Sequence, residues 1–213
     1  MIRRIFLGLL LALPALGLPL AGQAQEYTAG EDYALIGTPQ PGGSDGKVQV
    51  VEMFWYGCPH CFQFEPYLKD WQKSMPANVE FIKLPAIFNN PRWQLHAGAF
   101  YTAEVLGVMD KFHEPFFNII HTGNQRMGSR EDIREFFSGI GVEGKRFDET
   151  FDSFAVQAKV RRAADLTRRY GITGVPALVV NGKYLVDGPM AKSFENMLRI
   201  VDALVEKETV AQQ

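Results

Sequence analysis

Two hydrophobic periods divide the 213-residue chain. From Lys47 to Trp55, β-branched and aromatic residues occupy both alternate faces, which predicts a central strand covered on each side. Val79 to Leu84 reads as a second strand. Tyr33 to Ile36 reads as a short one, ahead of the Gly/Pro-rich loop Thr38 to Gly46. Gly57 ends the first long strand, and "CPHCFQFEPYLKDWQKSM" (Cys58 to Met75) then takes on helical spacing. Pro59 fits only the start of that helix, where its missing N–H costs nothing, and Pro66 is expected to kink it.

From Asn89 to about Tyr170 the pattern is helical almost throughout, with Trp93, Ala97, Phe100 and Val105 at helical intervals. Ser129 and Asp132 form a start resembling a capping box, Phe151 to Tyr170 reads as one helix stopped by Gly171, and Pro115 is expected at a boundary or kink. The strand pattern returns in "ALVV-NG-KYLV", two β-type runs whose Asn181-Gly182 junction predicts a type I′ hairpin turn. Ser193 then caps an amphipathic helix through Leu204. The order is that of an α/β sheet domain interrupted by a helical one. The expected divisions are a leader at 1–24, sheet-domain parts at 25–88 and 166–213, and an inserted helical domain at 89–165.

The leader fixes the compartment. Arg3 and Arg4 precede an apolar run, Ile5 to Leu20, broken by Pro14 and Pro19, and Gly22-Gln23-Ala24 offers the small residues a signal peptidase reads. Cleavage after Ala24 would put the mature chain in an exported, disulfide-permissive space with no lasting membrane insertion. The formal charge is −2, and loss of the two leader arginines makes it two units more negative. Nothing in that balance suggests a nucleic-acid partner. The length is ample for a core without covalent staples.

That last point bears on the chain's only two cysteines, Cys58 and Cys61. A bridge closing so short a loop constrains the unfolded chain weakly, which makes a structural disulfide a poor reading. Zinc needs four ligands, and no second cysteine pair exists. His96, His113 and His121 lie in apolar helical segments where packed or surface histidines are commoner, so no metal is expected. A redox centre uses the whole stretch. Cys58 falls at a helix N-terminus, where free N–H groups and the dipole favour a negative sulfur, and Cys61 lies one turn on within disulfide reach. Pro59 presets the turn, and His60 offers charge or an N–H to the Cys58 thiolate. Stabilising that thiolate favours the dithiol form, so the protein oxidises others. The more exposed sulfur should attack and the inner one resolve the mixed disulfide.

Cys58-Pro59-His60-Cys61 within "VEMFWYGCPHCFQFEP", the later "TGVPALVVNG" and the leader together resemble the DsbA family of exported thiol:disulfide oxidoreductases, over essentially the whole mature chain. The resemblance implies a thioredoxin fold with an inserted all-helical domain, a depressed nucleophile pKa and an oxidising poise. It also implies a periplasmic monomer that needs no dissolved cofactor. Reduced, unfolded exported proteins would be its substrates, and a quinone-linked membrane oxidase of the DsbB type would reoxidise it. A disulfide isomerase or reductase is the neighbouring alternative, although such enzymes usually carry a dimerisation segment and only Gln25 to Gly46 precedes the first long strand. A non-catalytic holdase for unfolded chains is another.

The same resemblance implies that Val175-Pro176 is cis, lies against the redox disulfide Cys58–Cys61, and offers a backbone edge to a substrate segment. Glu52 shares a strand face with Val48, Val50 and Phe54, so its carboxylate must be paired or protonated. Lys83 in the neighbouring strand is the expected partner. In resembling proteins such an acid lies beneath the inner cysteine and helps move its proton. Glu65, one turn beyond Cys61, is a second and weaker candidate for that neighbourhood.

Overall fold

The computed structural model describes residues 26–211. The expected signal peptide and its cleavage site lie outside the described residues. Five strands form one sheet in the order β1-β5-β4-β2-β3. At its centre β2 (Val48–Phe54) runs parallel to β3 (Val79–Pro85) and antiparallel to β4 (Ala177–Val180). Strand β5 (Tyr184–Asp187) returns beside β4, and the two-residue β1 (Ala34–Leu35) closes that edge. Every β2 residue except Gln49 is buried, as expected of a strand with apolar residues on both faces.

The faces of β2 enter different cores. Val48 and Val50 pack with Leu178, Val180 and residues of α1 (Pro59–Ser74) and the last helix, α8 (Phe194–Ala211). Val51 and Met53 pack with Val179 and the helical block that lies between β3 and β4 in the chain. That block holds α2 (Pro91–Leu106), α3 (Met109–His121), α4 (Arg130–Gly139), α5 (Gly144–Phe151) and α6 (Phe154–Arg169). This is a thioredoxin fold with a helical insertion. The 165/166 position falls inside α6, which continues to Arg169. Among the described residues no helix is long and apolar enough to cross a membrane.

Local signals explain the element ends. Cys58 is the N-cap of α1 with Pro59 at the first helical position. Ser129 and Asp132 make both bonds of a capping box at α4. Asn181 (φ 49°) and Gly182 (φ 65°) take the paired positive φ angles of a type I′ turn, closed by Lys183 N–H donating to Val180 O at 3.0 Å.

Several expectations need correction. The run Phe151 to Tyr170 is not one helix: Phe151 ends α5, and Ser153 caps α6 by accepting from Val156 N–H. Of the boundary and the kink expected for Pro115, the boundary is excluded, since it sits inside α3; Pro66 lies inside α1, where it was expected. Both prolines are exposed, as is Lys111, whose carbonyl loses its helical donor to Pro115, so water can take that donor's place. The last helix runs past Leu204 to Ala211, and the four-residue α7 (Gly188–Ala191) was not foreseen.

Candidate active site

The site forms where β2 hands over to α1. Cys58 N–H donates to Trp55 O at 2.9 Å, and Phe62 N–H donates to Cys58 O at 3.1 Å, which fixes the turn and aims the α1 N-terminus at the Cys58 sulfur. Both cysteines are in the dithiol form. Cys58 is only 9% exposed, less open than expected for an attacking sulfur, but Cys61 is at 0%. Pro59 and His60 are exposed beside them. From the far end of the helical block comes the Val175–Pro176 bond, which is cis. The Cys58 S–H donates to Val175 O at 3.4 Å, bringing together residues 117 apart in sequence.

The two thiols are pushed in opposite directions. Cys58 falls from 9.0 to about 6, first because the Cys61 side chain hydrogen-bonds to it. Burial opposes this, and the backbone N–H groups of Cys61 and His60 assist it. The charge of His60 comes last among these causes, so His60 acts more through its backbone than the sequence suggested. Cys61 rises well above 9.0, chiefly by burial and then by its bond and charge interaction with Cys58, with Glu52 adding to the rise.

A largely buried cluster of charged groups includes Glu52, whose charge acts on Cys61. Glu52 and Lys83 are register partners across the parallel β2–β3 pair, and Lys83 Nζ donates to Glu52 Oε2 at 2.6 Å. The same Nζ donates to Glu65 Oε1 at 2.7 Å, so one ammonium serves two carboxylates. The Glu52 side chain is fully buried, and its Oε1 has no partner among the described residues. Burial raises the Glu52 pKa well above the carboxylate range despite Lys83, and the charge of Glu65 adds to the rise. For Glu65 the order of effects reverses. Burial is opposed and outweighed by a bond from His113 and by Lys83, and the group stays ionised with a pKa lowered to about 2. Of the two, Glu52 is the one poised to carry a proton, because it is the more deeply buried and has a bare oxygen.

Glu65 lies in the neighbourhood of Glu52 through their shared Lys83, and sequence reasoning missed the aromatic residue that joins the site to the helical block. Tyr56, fully buried, hydrogen-bonds through its hydroxyl to His113 Nδ1 at 2.7 Å, and its carbonyl accepts from His121 Nε2–H at 2.8 Å. His121 also stacks on Phe62, with ring centroids 4.8 Å apart. No local pattern marks these histidines, because their partners lie 48 to 65 residues away.

Residues 49–199 match the DSBA-like thioredoxin domain family. The chain belongs to that family. It is 40% identical over 209 residues to the thiol:disulfide interchange protein DsbA of Pseudomonas aeruginosa, covering 98% of both chains. Against the corresponding protein of Azotobacter vinelandii the identity is 38% over 215 residues, covering 99% of this chain and 100% of the relative. The crystal structure of Pseudomonas aeruginosa DsbA superposes with a TM-score of 0.81 at 41% identity, covering 87% of this chain and 96% of that one. That of Xylella fastidiosa DsbA gives 0.80 at 34% identity, with 86% and 98% covered. Membership makes the protein a disulfide oxidoreductase that exchanges thiols and disulfides with substrate proteins, the chemistry for which the opposed cysteine pKa values are suited.

Proposed function

We propose that Cys58 is the attacked sulfur of an oxidising Cys58–Cys61 disulfide and that Glu52 manages the proton of Cys61. A substrate thiolate attacks Cys58 Sγ, the Cys58–Cys61 bond breaks, and Cys61 leaves as a thiolate. Its raised pKa demands a proton, for which Glu52, an acid whose charge acts on Cys61, is the reservoir proposed. The second substrate thiolate then attacks the substrate sulfur of the mixed disulfide and expels Cys58 as a thiolate, a good leaving group because its pKa is lowered to about 6. The substrate loses two electrons and gains a disulfide, and the enzyme ends as the dithiol. Reoxidation reverses the roles: Cys58 attacks the oxidant's disulfide, and Cys61, deprotonated by Glu52, displaces the oxidant's thiol. The oxidant proposed is a quinone-linked membrane protein of the DsbB type, and the compartment the periplasm.

Substrate placement uses the Val175 carbonyl. Once Cys58 gives up its proton, Val175 O is free to accept from the backbone N–H of an extended segment, which docks like an added strand. Beside it lies a cavity of about 720 Å³ lined by His60, Val175, Pro176, Pro189 and Phe194 among others, with room for the apolar side chains of an unfolded chain.

The observation that carries this reading is the placement of the two thiols: Cys58 caps α1 against the carbonyl of the cis Val175–Pro176 bond, and Cys61 is fully buried one turn on. The test is a redox titration of the mature protein against glutathione. An oxidising midpoint is expected, and a strongly reducing one would overturn the direction of electron flow. Cys58→Ser should abolish disulfide formation in a reduced substrate; a variant that still catalysed it would remove the assignment and favour a binding role.

A further inference from the structure

Behind Glu65 the polar cluster continues into the helical block, and the charge of Glu65 orders its donors and acceptors. Ionised Glu65 only accepts, so the 3.3 Å contact from His113 Nε2 to Glu65 Oε1 requires the proton on Nε2. His113 Nδ1 is then a bare acceptor, and the Tyr56 hydroxyl donates to it at 2.7 Å. His113 and Tyr56 both stay neutral, since burial lowers the pKa of the first and raises that of the second. The bonds run in one direction, from Tyr56 to His113 to Glu65, where they meet the ammonium that Glu65 shares with Glu52.

The charged and titratable groups facing His113 are few. Glu65 approaches from α1, Lys83 from β3 and Tyr56 from the loop before Cys58. Its helix neighbour Glu114 is turned to solvent, where it pairs with Lys69 at 3.5 Å. The rest of its surroundings is aromatic, with Phe54, Phe100 and Phe117 packed around the ring. His113 thus reaches out of the inserted helices to the carboxylate that competes with Glu52 for Lys83.

We propose that His113 is a positioning residue for the Cys61 proton transfer: by donating to Glu65 it leaves Lys83 free to hold Glu52. This rests on the reading of Glu52 as the proton partner of Cys61. With Glu65 ionised at neutral pH, its pKa lowered to about 2, the histidine need not act by changing its charge. It acts by meeting part of that carboxylate's demand for donors. Without it the ammonium is drawn toward Glu65, and Glu52 keeps a smaller share of its counter-charge. Glu52 then holds its proton more tightly, and less of it is ionised at a given pH to accept the proton of Cys61.

The test follows release of glutathione from a Cys58–glutathione mixed disulfide of the mature protein, resolved by Cys61, as a function of pH. Because His113→Phe alone would strand the buried Tyr56 hydroxyl, the comparison is between Tyr56→Phe and the Tyr56→Phe/His113→Phe double variant. The rising limb of the rate profile is expected to move to higher pH in the double variant by roughly half to one unit, a three- to tenfold slower release below the limb. Alkylation of Cys58 should keep its midpoint, since His113 is not among the groups that set it. His113→Gln, which can still donate to Glu65, should restore the native limb. The proposal is overturned if the limb stays in place, if His113→Gln is displaced as far as the double variant, or if the Cys58 midpoint moves equally. Glu52→Gln separates the two layers: if it leaves the limb unmoved, the Glu52 reading is wrong. If it moves the limb and loss of His113 does not, only the role of His113 falls.

Discussion

At the scale of single residues, Cys58 and Cys61 divide their labour because each is the largest perturbation on the other that is not burial. Iodoacetamide should therefore alkylate Cys58 of the dithiol protein with a midpoint near pH 6. Cys61→Ala should move that midpoint up toward 9.0, and a shift smaller than the one produced by His60→Ala would reverse the ranking of causes given above. Glu52 carries the opposite sign. A carboxylate whose folded pKa is raised binds its proton more tightly folded than unfolded, so it costs stability at neutral pH. Glu52→Gln should raise the unfolding free energy by roughly 1–2 kcal/mol in a denaturant titration, because Lys83 keeps Glu65 as a partner. The same change should slow resolution by Cys61. A stabilised variant with unimpaired resolution would mean the buried acid has no part in the proton transfer.

At the scale of elements, the strands and their turns were legible because burial and backbone geometry are local. Val48–Phe54 has the two-faced apolar pattern of a central strand, and Asn181-Gly182 supplies the positive φ angles its hairpin needs. Gly182→Ala should destabilise by more than about 1 kcal/mol, since φ is positive there and a methyl would meet Gln40 O of the backbone. Ser129→Ala should cost about 0.5–2 kcal/mol in thermal or denaturant unfolding, because it removes half of the α4 capping box. The helix breaks were harder to see. Asp152-Ser153 looks like helix interior until Ser153 is recognised as a cap. Pro115 looks like a terminus until its exposure shows that the lost bond can be given to water. In the site, the Cys58–Cys61 motif and the Glu52–Lys83 pair could be read from neighbouring sequence or neighbouring strands. Tyr56, His113 and His121 could not, since only the packing of α3 against the β2–α1 turn brings them together.

At the scale of the whole molecule, the lowered Cys58 pKa couples redox state to folding. A folded pKa of about 6 against an unfolded 9.0 gives the dithiol form stability that is complete above pH 9 and disappears as pH falls through 6. At pH 7 this is about 1.4 kcal/mol. Chemical denaturation of both forms should show the dithiol protein gaining on the disulfide protein between pH 5 and 8. Parallel pH dependences would show that Cys58 is not depressed in the folded state. Cooperativity across the fold has a second source, the hold that α3 keeps on Tyr56 at its hydroxyl and its carbonyl. Trimming the chain to a minimal enzyme, with a short linker in place of everything between β3 and β4, would remove more than bulk. The residue two before the attacking sulfur would lose both anchors at once, and the excised protein would keep its Cys-Pro-His-Cys sequence without the rigid turn that makes it reactive.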